Sequence, residues 1–245
     1  MGKDRLDYWR DIETYERYMF DSREGRKRIE EMERYFPEFS GFLGKRVLDV
    51  ACGAGLFSFW LEQKGCEVVG VDINEAMIEL ALETKKRYGF KSRFLLGDAS
   101  NVRLEGKFDS AVIFGNTLFS LSPKTFVNII RNVKGHLKEN GYVIVNYRSL
   151  LEKLVNKEWR DVYFESERIA SFNLSYDDSQ AGITKIYVDL AGEKLPTKET
   201  FYVWSSGFLE AIMEALGFVL VKRLETRVSM CEVMDVYQLK PGGRP

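Results

Sequence analysis

The stretch Val47-Leu48-Asp49-Val50-Ala51-Cys52-Gly53-Ala54-Gly55 decides the fold. An apolar run carries one acid near its end and then gives way to closely spaced glycines. It reads as a buried strand, a tight turn and the start of a helix. Glycine has no Cβ, so the turn can take left-handed backbone angles and a ligand can lie against the main chain. The helix that follows offers unpaired N–H groups in its first turn. Open α/β sheets bind their ligands in this place, at the carboxyl ends of the strands.

Outward from that stretch the same rhythm repeats. Leu56 to Lys64 reads as a helix closed by Gly65, and Glu67–Asp72 as a second strand ending in an acid. Asn74 is a good N-cap for a helix to about Tyr88, with Gly89 as its stop. Ser92 to Leu96 is a third strand, followed by Asp98, and Phe108 to Phe114 a fourth. Ser122-Pro123 opens a helix to about Lys138 that stops at Asn140-Gly141, and Tyr142–Tyr147 is the fifth strand. Alternating strands and helices predict a doubly wound, mostly parallel sheet.

The alternation breaks after residue 157. Residues 158–204 hold several stretches of period two, such as Ile183–Leu190, separated by turn signals. They predict an inserted antiparallel β segment over the active site. Residues 205–240 read as a closing helix from Ser206 and an antiparallel strand pair. Residues 45–157 are then the ligand-binding core. Residues 1–44 read as an aromatic-rich helix to about Phe20, with Tyr8, Trp9, Tyr15 and Tyr18, a second helix from about Ser22 to Phe36, and a loop from Pro37 to Gly44; the helices serve either as a lid or as packing.

Composition excludes several classes. Lys and Arg number 36 against 37 Asp and Glu, a net charge of −1, so no overall field draws the chain to nucleic acid or to an anionic membrane. No apolar run approaches a membrane span, and the N-terminus is charged rather than signal-like. Three cysteines, Cys52, Cys66 and Cys231, fit neither a disulfide framework nor a metal cluster. A reducing cytoplasm is the expected compartment. Oligomeric state is left open.

The glycine turn names a cofactor class once its neighbours are weighed. A dinucleotide fingerprint needs G-x-G-x-x-G. Here Ala51, Gly53 and Gly55 are followed by Ser58, not by a spaced glycine. Asp49 stands ahead of the turn, where a pyrophosphate would be repelled and a cation welcomed. S-adenosylmethionine carries a sulfonium and an ammonium. Asp72 lies about twenty residues on, where an acid can accept both ribose hydroxyls. A dinucleotide enzyme also has that acid, so Asp72 does not discriminate; Asp49 and Asp98 together do. The competing account is that each acid caps the next helix or turn.

From Tyr18 to about Leu239 the chain resembles class I S-adenosylmethionine-dependent methyltransferases, in pattern the small-molecule glycine and sarcosine N-methyltransferases. Arg46–Gly55 is similar to their glycine motif, Phe108–Thr117 to their fourth-strand motif with Gly115-Asn116 at its end, and Val145–Arg148 to the end of their fifth strand. The resemblance implies a Rossmann-like fold and direct methyl transfer to a small acceptor, an amine with an acidic group. It implies that Ala51, Gly53 and Gly55 hold the methionine part, Asp72 the ribose, Ile73 an adenine face, and Asp98 with Ala99 the adenine edge. Tyr18, Arg26, Asp49 and Phe114 join the cofactor set. Asn116 would orient the nucleophile through its carbonyl and Arg148 would bind the acidic group. Tyr147 stands where the family has histidine and joins Asn116 and Arg148 in the catalytic set; with Tyr163, Tyr187 and Tyr202 it could line the substrate pocket, where rings attract a methylated cation.

Blander accounts compete: Asn116 as a turn residue, Arg148 as a surface ion pair, and Tyr147, Tyr163, Tyr187 and Tyr202 as core rather than pocket. His136, the single histidine, falls at a helix end away from the cofactor. Methylation of RNA or protein, a cofactor-binding protein without turnover, and a dinucleotide oxidoreductase are the rival functions.

Overall fold

The computed structural model describes residues 19–149, 160–164, 169–192, 196–228 and 231–241. Its larger sheet has seven strands in the order β10 (Phe218–Val228), β11 (Cys231–Leu239), β5 (Leu137–Tyr147), β4 (Phe108–Ile113), β1 (Arg46–Val50), β2 (Glu67–Asp72) and β3 (Arg93–Leu96). Strands β1 to β5 are parallel. Strand β11 runs against both β5 and β10. The helices among the described residues are α1 (Arg23–Glu33), α2 (Phe36–Phe39), α3 (Leu56–Gln63), α4 (Glu75–Tyr88), α5 (Pro123–His136) and α6 (Ser206–Ala215). The expected Rossmann-like, mostly parallel sheet with its antiparallel closing pair is therefore present.

Side chains alternate across a strand, so each strand feeds two cores. On one face Leu48, Val50, Ala111, Ile113, Val143 and Val145 pack under Phe126, Ile130 and Val133 of α5 and Leu209 and Met213 of α6. On the other face Val47, Val112 and Ile144 meet Leu56, Trp60 and Leu61 of α3, with Met32 and Phe39. Covering both faces explains the near-continuous apolar runs of these strands.

Strand order reverses between β1 and β4. In doubly wound sheets the loops leaving two such strands diverge to opposite sides, and the crevice of this switch point is where ligands are held.

Residues of the insertion form a second sheet, β6 (Val162–Phe164), β7 (Ile169–Asp177), β8 (Gly182–Asp189) and β9 (Thr197–Tyr202), antiparallel throughout. Strand β9 packs on the short 3-10 turn Thr117–Ser120, which also packs on β5. Phe119 of that turn meets Phe201 with ring centroids 6.0 Å apart.

Three boundaries differ from the sequence reading. Residues Pro37 to Phe39, expected in a loop, belong to α2, where Pro37 lies in the first turn and loses no helical hydrogen bond. Helix α5 stops at His136, and β5 begins at Leu137, before the Asn140-Gly141 signal. That signal marks an irregularity within the strand: Asn140 has φ +58 and the β4–β5 register shifts between Phe108 and Ser110. Residues 1–18, including Tyr8, Trp9, Tyr15 and Tyr18, lie outside the described residues.

Candidate active site

Strand β1 delivers Asp49 to the crevice, and the turn behind it takes its shape from three left-handed residues. Ala51 has φ +56, Gly53 φ +54 and Gly55 φ +82. Gly55 is the N-cap of α3, and a Cβ there would lie 2.8 Å from both Phe59 and Phe94. Gly53 is different: a Cβ there would meet nothing within 4 Å. The chain turns past an open space at Gly53, the cradle a ligand needs. Gly70 on β2 is required for another reason, because a Cβ would come within 2.8 Å of Cys52 Sγ.

Asp49 is 2% exposed. It accepts a hydrogen bond from Ser58 Oγ at 2.6 Å. Burial, opposed by that bond and helped by the nearby charge of Asp72, pushes its carboxyl up to about 7. Asp72 ends β2 and ties two loops together. Its Oδ2 accepts the Gly53 N–H at 2.8 Å and its Oδ1 the Asn74 N–H at 2.8 Å. Burial raises its pKa, while N–H groups of Asn74, Gly53 and Ile73 oppose the shift. Ile73, next along, is 50% exposed, an apolar side chain without cover. Asp98 lies past β3 and accepts the Ser100 N–H at 2.8 Å. Ala99 beside it is half-buried, and its carbonyl accepts a hydrogen bond from Asn132 Nδ2 at 3.1 Å.

The set Asp49, Ala51, Gly53, Gly55, Asp72, Ile73, Asp98 and Ala99 thus lies at the carboxyl ends of three adjacent strands. The residues fit the cofactor class that the sequence suggests. An uncovered apolar side chain follows the ribose-type acid, and a third acid follows the next strand. Carboxylates rather than cations rim the turn.

Across the crevice, Gly115 and Asn116 leave β4 with φ +81 and +66. Asn116 N–H donates to Asn146 Oδ1 at 3.3 Å, and Asn116 Oδ1 accepts the Arg148 N–H at 3.2 Å. The carbonyl expected to face an acceptor is therefore also used to clasp the end of β5. Asn146 was not singled out by sequence; its signal was one amide in the apolar run Val143–Tyr147. It is fully buried, and its Nδ2 donates to Met32 Sδ at 3.8 Å. Arg148 is half-buried at the strand's exit.

Two expectations are corrected. Tyr147 is not a pocket residue: it is 0% exposed, and its hydroxyl contacts Asp235 Oδ2 and Ser206 Oγ, each at 2.9 Å. Side-chain alternation turns it away from its neighbours Asn146 and Arg148. Phe114 is 3% exposed and packs on Phe39 and Phe57, so its ring has no face to offer a ligand. Arg26 is exposed in the first turn of α1, where its guanidinium donates to the Asp21 carbonyl. Tyr18 lies outside the described residues. Tyr187 is buried against Phe201, Tyr202 is half-buried at the end of β9, and the Tyr163 side chain lies outside the described residues. His136 ends α5 just before β5 begins, at the amino end of the sheet. Cys52 and Cys66 are buried thiols, and burial raises the pKa of both. Among the described residues no group of three His, Cys, Asp or Glu is placed to hold a metal, and no helix is long and apolar enough to cross a membrane.

Residues 47–141 match the family described as methyltransferase domain. The solved PH0226 protein from Pyrococcus horikoshii OT3 superposes with a TM-score of 0.74 at 27% identity, covering 96% of this chain and 99% of that one. A putative methyltransferase, YqeM, of Bacillus subtilis is 33% identical over 106 residues, 42% of each chain. The glycine N-methyltransferase of Oryctolagus cuniculus is 24% identical over 144 residues, 50% of this chain and 48% of that protein. The chain thus spans less than half the length of these two curated relatives. Over residues 47–141 the chain is thus similar to methyltransferase domains, and the cofactor this likeness carries is S-adenosylmethionine.

Proposed function

We propose that this protein transfers a methyl group from S-adenosylmethionine to a small acceptor, an amine that also carries an acidic group. One observation carries the reading: three carboxylates, Asp49 one residue before the end of β1, Asp72 at the end of β2 and Asp98 two residues past β3, stand at the carboxyl ends of neighbouring parallel strands around a glycine turn with open space at Gly53. When bound, the cofactor supplies a methyl group already activated on a sulfonium. The work left to the protein is alignment and exclusion of water, effects worth roughly 7–11 kcal/mol in ideal intramolecular cases.

The residues divide that work. Asp72 receives the ribose hydroxyls, Ile73 covers an adenine face, and Asp98 with Ala99 takes the adenine edge. The main chain at Ala51, Gly53 and Gly55 follows the methionine part. Asn116 stands across the crevice. Its Oδ1 has two lone pairs, one engaged by Arg148 N–H, and the second holds an N–H of the acceptor. The Arg148 guanidinium grips the acidic group, bidentately where that group is a carboxylate. An amine must arrive without its proton to attack, so the amine is held by acceptors rather than donors.

A net charge of −1 argues against a phosphate-rich acceptor, and the similarity to a glycine N-methyltransferase supports a small one. The test has two arms. Calorimetry with S-adenosylhomocysteine should show binding that Asp72→Ala weakens at least tenfold and Arg148→Ala leaves within twofold. Labelled S-adenosylmethionine with a fractionated metabolite extract should then place label in a small molecule, with Arg148→Ala raising the Michaelis constant for it. Absence of binding by the unaltered protein overturns the cofactor assignment; label in RNA or protein alone overturns the acceptor class.

A further inference from the structure

We propose that Tyr147 is a positioning residue for the acceptor side of this site, pegging the end of β5 to a buried carboxylate so that Asn116 and Arg148 keep their places. The proposal rests on the reading that those two residues face the acceptor.

The peg is Asp235 of β11, which is 0% exposed. Arg223 of β10 binds it with two bonds, Nε to Oδ1 at 2.8 Å and Nη2 to Oδ2 at 3.0 Å. Tyr237 donates its hydroxyl to Oδ2 at 2.9 Å, and Tyr147 reaches the same oxygen at 2.9 Å. A phenol has one proton to give. Tyr147 gives it to the carboxylate and accepts from Ser206, the first residue of α6, at 2.9 Å. Arg223 Nη2 also meets Glu210 of α6 at 3.0 Å. One carboxylate therefore fixes β5, β10 and β11, and reaches α6 through Ser206 and Glu210. Such a cluster is a costly way to stabilise a core, since packed apolar residues do as well. It differs from apolar packing in being directional.

Direction matters at this point of the sheet. The β4–β5 ladder ends at the pair Ile113–Val145. Asn146 and Tyr147 overhang β4 and take their position from β11, where Tyr147 opposes Val233. The residues on either side of Tyr147 then hold Asn116: Asn146 Oδ1 takes its N–H, and the Arg148 N–H meets its Oδ1. Asn116 sits at φ +66, a left-handed conformation that asparagine tolerates better than most residues, and these two bonds fix it there. A shift of Tyr147 moves both clasps together. The cofactor side has separate supports, since Asp72 is held by Gly53 and Asn74.

The test uses the whole chain saturated with S-adenosylhomocysteine. Tyr147→Phe keeps the ring and removes the hydroxyl; Ser206→Ala removes one neighbour of that hydroxyl and is the milder change. Amide hydrogen exchange is followed at Asn116 and Arg148, with Gly53 and Asn74 as internal references. The expected result is exchange at least tenfold faster at Asn116 and Arg148, references unchanged, and affinity for S-adenosylhomocysteine within twofold of the unaltered protein. Ser206→Ala should give the same pattern at smaller size, and it decides the matter if Tyr147→Phe does not fold. Transfer of label into the acceptor fraction should fall tenfold or more in Tyr147→Phe. Equal acceleration at all four amides would mean general loosening and would overturn the proposal, as would no acceleration at Asn116 and Arg148. Failure of the functional reading looks different: the unaltered protein would bind no S-adenosylhomocysteine, and exchange measured without it would still decide the role of Tyr147.

Discussion

At Asp49 a carboxylate is held in the core by one hydroxyl, with no cation beside it among the described residues. With its pKa at about 7, it carries its proton through much of the mildly acidic range. A cationic ligand in the crevice favours the ionised form and draws the pKa down. Affinity for S-adenosylmethionine should then rise with pH up to about 7, by at most about tenfold per unit, and level off above. Asp49→Asn should flatten the profile in calorimetry between pH 5 and 8. Stability of the ligand-free protein follows the opposite course. A raised folded-state pKa means that the folded protein binds the proton more tightly than the unfolded chain, whose value is near 4. This group's contribution is present below about pH 4 and lost as pH rises to about 7. Asp49→Asn should therefore gain stability relative to the unaltered protein over that range. Equal denaturation midpoints at every pH would contradict the buried-acid account.

Elements whose ends carry local signals were legible. Helix α4 starts where Asn74 Oδ1 takes the Ala76 and Met77 N–H groups and stops at Gly89, φ +74, as the sequence indicates. Asn74→Ala should lower unfolding free energy by about 1 kcal/mol, read from urea denaturation. The Asn74 N–H that holds Asp72 belongs to this cap, so the same variant should also weaken S-adenosylhomocysteine binding, by about threefold. Elements set by partners far along the chain were less legible. The Asn140-Gly141 pair reads as a helix stop, yet the strand has already begun at Leu137 because Phe108 of β4 pairs with it. Asp235 reads as one more polar residue on a closing strand, and only the folded sheet shows Arg223, Tyr147 and Tyr237 gathered on it.

For the whole molecule, the crevice joins loops from β1, β2, β3 and β4, so a ligand bound there ties several elements of one sheet together. Such a ligand stabilises the folded state by mass action, about 2.7 kcal/mol at a hundredfold excess over Kd. For a chain of this size that is a rise in Tm of roughly 5–10 °C. Thermal denaturation with S-adenosylhomocysteine should show it, and NAD should not. Periodicity, glycine spacing and the acid after each strand determined the doubly wound sheet and the cofactor end of the site, because those features act within a few residues of chain. Tertiary structure alone decided that Tyr147 turns into the core, that Phe114 is sealed, and that Asn146 and Arg148 clasp Asn116. Each of these depends on which face of a strand meets which neighbour. That face is set by ladders between residues about thirty to ninety positions apart, a separation no local pattern encodes.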